Sequence, residues 1–132
     1  MQNFLHQAAQ IALPSTDKDY RDYWLGCVGV REDGTVVASK NGAAEFHTTV
    51  KSYQLLPSSH AEGRVLRKLG KCGTIFVARV SKKDGSLAMA RCCGMCRVRV
   101  KAAKVKRVYY TIDNFHYGIW FPHTNTDKIY EL

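Results

Sequence analysis

The chain carries His60-Ala61-Glu62 and, 33 positions after that histidine, Cys93-Gly94-Met95-Cys96. No other feature restricts its folding choices as much. One imidazole and two thiolates make three metal donors. A zinc ion held by three side chains keeps its fourth position for water. A carboxylate beside that water can act as its general base. The fold must therefore bring two segments distant in sequence to one point, with Glu62 on the open side. Both motifs read as helix starts. Ser58 and Ser59 are N-cap candidates for a helix from His60 to Leu69, which Gly70 ends. Cys93 and Cys96, at i and i+3, share a face at the start of a helix expected from Gly94 to about Ala103. Helix starts present unpaired N–H groups and partial positive charge, which favour thiolate over thiol.

The remaining chain supplies a scaffold for those two starts. Phe4, Leu5, Ala8, Ala9, Ile11 and Ala12 recur at helical spacing within Gln2 to Ala12. A second short helix is expected over Asp17 to Tyr23. Trp24 to Val30 and Thr35 to Ser39 read as strands joined through Arg31-Glu32-Asp33-Gly34, whose Asp-Gly marks a hairpin. Lys40 to Ser59 reads as mostly irregular. Thr74 to Val80 is a compact apolar strand, and Leu87 to Ala90 continues toward the cysteines. Arg107 to Ile112 and Phe115 to Phe121 read as a hairpin around Asp113-Asn114. Alternation along that last run puts Phe115, Tyr117 and Ile119 on one face, with His116 and Trp120 toward the other. Such an order of elements predicts an α/β fold of three layers, α/β/α. Its mixed sheet would have about five strands, the last two an antiparallel hairpin. A single domain over 1–132 is expected, with 1–23 an N-terminal helical segment and 122–132 a polar C-terminal tail.

The order H-x-E then C-x-x-C, each at a helix start with a strand between, resembles the cytidine deaminase-like superfamily. The match covers about Trp24 to Phe121, with its motifs in His60 to Glu62, Arg91 to Cys96 and Val108 to Thr111. Cys92 stands where the superfamily pattern has a proline. The resemblance implies a zinc-dependent hydrolytic deaminase that converts cytosine to uracil in a free (deoxy)cytidine nucleoside or nucleotide. It implies His60, Cys93 and Cys96 as ligands of one zinc per chain, and Glu62 as the proton carrier. It implies Asn41, Ala61 and Arg91 as substrate-binding residues, Asn41 at the place of an asparagine that bonds the ribose. A strand returning directly as a hairpin after the cysteine helix is the order found in free cytidine deaminases and several bacterial toxin deaminases. A homo-oligomer is a further implication. Other interpretations of the same residues stand beside these. They are a structural zinc with His47, His116 or His123 as fourth ligand, core cysteines without metal, ligation through Cys92, and Asn41-Gly42 as a plain turn.

Charge points to a phosphate-bearing partner. Twenty Lys and Arg against eleven Asp and Glu leave a formal net charge of +9. Arg91, Arg97, Arg99, Lys101, Lys104, Lys106 and Arg107 cluster on and around the cysteine helix. Phe46, Tyr53, Phe115, His116, Tyr117 and Trp120 are candidates for stacking on a base. These features keep two alternatives open: deamination of cytosine or adenine in single-stranded DNA or RNA, tRNA included, and a non-catalytic zinc-stabilised module that binds nucleic acid. Five cysteines, three of them in five positions, make a poor disulfide framework and suit metal binding in the reducing cytoplasm. No apolar run approaches the ~20 residues of a membrane span, so no membrane partner is expected.

Overall fold

The computed structural model describes residues 2–12, 23–40, 42–43, 58–59, 69, 73–81, 83–91 and 94–132. Helix α1, Gln2–Ala12, opens the chain as its apolar spacing predicts, with Leu5, Ala8 and Ala12 buried. Strands β1 (Tyr23–Val30) and β2 (Val36–Lys40) form the expected hairpin. Gly34 takes φ +90° in their turn, and the Asp33 carboxylate accepts from the Thr35 N–H at 2.9 Å. Two short strands follow, β3 (Gly42–Ala43) and β4 (Ser58–Ser59), paired with each other. Strand β5, Thr74–Ser81, is followed by β6 (Leu87–Ala88) and helix α2 (Gly94–Ala102). The chain ends in β7 (Arg107–Thr111), β8 (His116–Phe121) and β9 (Thr126–Glu131).

The main sheet has the order β2-β1-β5-β7-β8-β9, with β6 added beside β5. Among the described strands only β5 and β7 pair in parallel, so the sheet is mixed as expected. Its seven strands exceed the anticipated five. One addition is β6, which continues along the β5 edge beyond β7. The other is β9, formed by a segment expected to be a polar tail. All six β9 residues are exposed, so the strand shows no apolar alternation. Its backbone ladder to β8 holds it in place.

Period-two alternation splits the core onto two faces. Leu25, Cys27, Ile75, Val77, Val108, Tyr110 and Trp120 share a cluster with Val100 of α2. Val28, Phe76, Ala78, Tyr109 and Ile119 pack with Leu5 and Ala8 of α1. Helices thus cover both sheet faces, giving three layers. Helix α1 lies so close to β1 that a Cβ on Gly26 would overlap the Ala8 carbonyl oxygen. On the α1 face, Phe4, Phe76, Tyr109, Tyr117 and Tyr130 form a run of ring contacts, with centroids 4.6 to 6.3 Å apart, from α1 across the sheet to β9. Tyr117 is committed to that run and Trp120 is 1% exposed, so neither is available to stack on a base. Ser58 and Ser59, expected as helix caps, form β4, and the first turn of the helix they would cap lies outside the described residues.

Candidate active site

The second motif enters the structure through the start of α2. The helix begins at Gly94 and carries Cys96 in its first turn, as the sequence predicts. His60, Ala61, Glu62, Asn41, Cys92 and Cys93 lie outside the described residues, as do His47, Phe46, Tyr53, most of the helix expected over 60–69 and all of the short helix expected over Asp17 to Tyr23 except Tyr23, which opens β1 instead. For Cys96 the backbone alone is described. The described residues still fix much around both motifs. Gly42 pairs with Ser59, which joins the chain just after Asn41 to the chain just before His60.

The approach to the cysteines is held from three sides. At β6 the Leu87 N–H donates to Asn114 Oδ1 at 2.8 Å. The buried Thr111 hydroxyl donates to the Ala88 carbonyl at 2.7 Å and accepts from the Arg79 N–H at 3.1 Å. It stands at the end of β7, where the β5 edge passes from its parallel partner to β6. The Ala90 N–H donates to the Thr111 carbonyl at 2.9 Å. A hydroxyl thus replaces the ladder bonds that a change of partner leaves open.

Arg91 supplies the third hold. Its Nε and Nη2 donate to the two carboxylate oxygens of Asp127 at 3.0 and 2.8 Å. The Tyr110 hydroxyl donates to the same carboxylate at 2.7 Å. Tyr110 crosses β8 to make this bond, over Gly118, where a Cβ would overlap its ring. Burial alone would raise the Asp127 carboxyl, but the donors from Arg91 and Tyr110 outweigh it and hold it below its ordinary value. Burial first, and the bond to Asp127 second, push the Tyr110 phenol far above its ordinary value, so it stays a donor. Arg91, expected at the substrate, is thus a bidentate partner of β9.

Arg97 follows Cys96 on α2. Its guanidinium lies 5.1 Å from the Trp120 ring centroid, and its Nε and Nη2 are buried without a hydrogen-bond partner among the described residues. Buried cationic donors directly after Cys96 suit a ligand set that carries two thiolates. The donors His60, Cys93 and Cys96 fit zinc in number and kind. Among the described residues no three metal-binding side chains cluster elsewhere. Of the alternative fourth ligands, His116 Nδ1 is 2.9 Å from Asp113 Oδ1, and His123 lies beside the C-terminal end of α2.

A mixed sheet between helices, with the end of the C-x-x-C motif at the start of α2 and an H-x-E motif in the sequence, is the arrangement of a zinc-dependent deaminase class. Residues 1–112 match the family described as the cytidine and deoxycytidylate deaminase zinc-binding region, and the chain belongs to that family. Zinc is its cofactor and hydrolytic deamination its chemistry. The fold is that of solved cytidine deaminases. The enzyme from Mycobacterium leprae is 19% identical over 93% of each chain, with a TM-score of 0.60. The Burkholderia pseudomallei enzyme is 16% identical over 98% of this chain and 91% of its own, also at 0.60. That from Mycobacterium tuberculosis is 21% identical over 86% and 89%, at 0.56. A comparison with curated protein sequences finds no match.

Proposed function

We propose that this chain deaminates cytosine in a free cytidine or deoxycytidine nucleoside or nucleotide, giving uracil and ammonia. The observation that carries the free-substrate choice is the β7–β8 hairpin. Strand β8 returns antiparallel to β7 after a short turn, with Val108 opposite Trp120 and Thr111 opposite Tyr117. No helix intervenes between these strands after the cysteine helix, an order that resembles free cytidine deaminases and several bacterial toxin deaminases.

In this proposal His60, Cys93 and Cys96 hold zinc, which supplies a water acidified toward neutral pH when bound. Glu62 accepts a proton from the attacking water and delivers it to the ring nitrogen. Glu62 then carries a proton to the departing amine, so water is consumed and ammonia released. Asn41 bonds the ribose, and Ala61 lies against the base. Arg91, two residues before Cys93, fixes the approach to the first thiolate through Asp127, a rigidity that the missing motif proline does not supply.

A second interpretation, deamination within single-stranded nucleic acid, draws support from the net charge of +9. A substrate panel separates the two. The protein is incubated with cytidine, deoxycytidine, CMP, dCMP, adenosine, single-stranded DNA and tRNA, and uracil or hypoxanthine formation is followed. Turnover of the free cytosine compounds is expected. Turnover confined to polynucleotide would overturn the first choice in favour of the second.

A further inference from the structure

We infer that the C-terminal end of α2 forms a second binding site, for a ligand that presents closely spaced phosphate groups. A cleft of about 790 Å³ opens there. Lys101, Lys104, Lys106, Arg107 and His123 line it, and among the described residues no acidic one does. Val105, Phe121 and Pro122 form its apolar wall. The four Lys and Arg side chains are all exposed. Glu32 lies 3.5 Å from Lys106, and both side chains of that pair are more than half exposed. Among the described residues no ion pair engages Lys101, Lys104 or Arg107. Like charges gathered in one concavity repel each other in the free protein and raise the local concentration of anions.

Backbone geometry points the same way. Helix α2 ends in a Schellman arrangement: the Val105 N–H donates to the Val100 carbonyl at 3.3 Å, and the Lys104 N–H to the Lys101 carbonyl at 3.0 Å. Val100 and Val105 supply its apolar contact, both buried in one cluster. The left-handed position in such a cap favours glycine, yet Lys104 occupies it at φ 57°. A cation stands where the helix end would be more stable without a side chain. Strain retained in this way is a pointer to function. The exit from the cap is anchored by the Lys106 N–H on the Gly73 carbonyl at 2.9 Å, which fixes Lys104, Lys106 and Arg107 against the start of β5.

The site is distinct from the metal end of the same helix. Helix α2 runs eight steps from Gly94 to Ala102, about 12 Å at the helical rise, and Lys104 lies two positions further on. Binding there requires neither zinc nor Glu62. Free polyphosphate and the backbone of a nucleic acid share the recognising chemistry, so the test uses both.

The full chain is titrated with sodium tripolyphosphate and with a 12-nucleotide oligothymidylate, which has no exocyclic amine to lose. Titrations run at several salt concentrations, alongside Lys104→Gly, the double variant Lys101→Ala/Arg107→Ala, and Lys83→Ala as an exposed basic control on the β5–β6 turn. Lys104→Gly is expected to raise the Tm by a few degrees while weakening binding several-fold. The double variant is expected to weaken binding further and to lower the salt slope by about 1 for each phosphate no longer engaged. Lys83→Ala is expected to bind as the parent does. Tripolyphosphate binding assigns the site to free polyphosphate, and binding of the oligonucleotide alone assigns it to a nucleic-acid backbone. The proposal is overturned if the parent binds neither probe. It is also overturned if Lys104→Gly and the double variant bind unchanged, or if Lys83→Ala weakens binding as much as they do.

Discussion

Asp127 does more than its place on an exposed edge strand suggests. It joins β9 to the approach of Cys93 by accepting from Arg91 and Tyr110 at once. Asp127→Ala leaves a buried tyrosine and a guanidinium without their acceptor. With the carboxylate a quarter exposed, solvent screening reduces the loss to about 1 kcal/mol, measurable by urea unfolding. Its pH dependence has a definite sign. The carboxyl is more acidic in the fold than in the unfolded chain, where its value is about 3.9. The stability it contributes is therefore present above that value and lost as pH falls through the folded one. The Tm gap between the parent and Asp127→Asn should hold steady near neutrality and close in strongly acidic buffer. Gly118 belongs to the same device. Gly118→Ala should displace the Tyr110 ring, cost about 1–3 kcal/mol, and change the near-ultraviolet tyrosine signal.

Elements whose side chains follow a period were legible in advance. Helices α1 and α2 stood out by apolar spacing or motif, and the β7–β8 hairpin by alternation around Asp113-Asn114. Strand β9 was not legible, because both its faces meet water and its backbone bonds to β8 leave no side-chain pattern. Strand β4 was missed because Ser58 and Ser59 satisfy a helix cap as well as a short bridge. Of the proposed site, the donors and Glu62 are local sequence motifs, and His60, Glu62 and Cys93 lie outside the described residues. The clamp on Arg91 comes from a residue 36 positions away and leaves no local signal. Nor did charge alone separate Arg91 and Arg97, placed on Asp127 and over Trp120, from the cations around the cleft. Removing residues 123–132 tests what β9 contributes. The shortened chain should unfold at lower temperature and retain less zinc after dialysis against a weak chelator, because Arg91 loses its anchor.

For the molecule as a whole, the proposed zinc site and the surplus charge belong to opposite ends of α2. Cys96 sits in its first turn, and Lys101, Lys104, Lys106 and Arg107 gather at and beyond its last. The sheet between the helices brings β6, β7 and β9 to the approach of the cysteines, while β3 and β4 join the chain beside Asn41 to the chain beside His60. The central claim is that this scaffold carries a zinc-dependent hydrolytic deaminase in which Glu62 moves the protons. The direct measurement is bound zinc and cytidine turnover, taken together, in the parent and in Glu62→Ala. The parent should hold about one zinc per chain and convert cytidine to uridine. Glu62→Ala should keep the zinc and lose turnover by at least about 10²-fold. A zinc-loaded parent that converts no cytosine compound, or a Glu62→Ala protein that turns over at the parental rate, would contradict it.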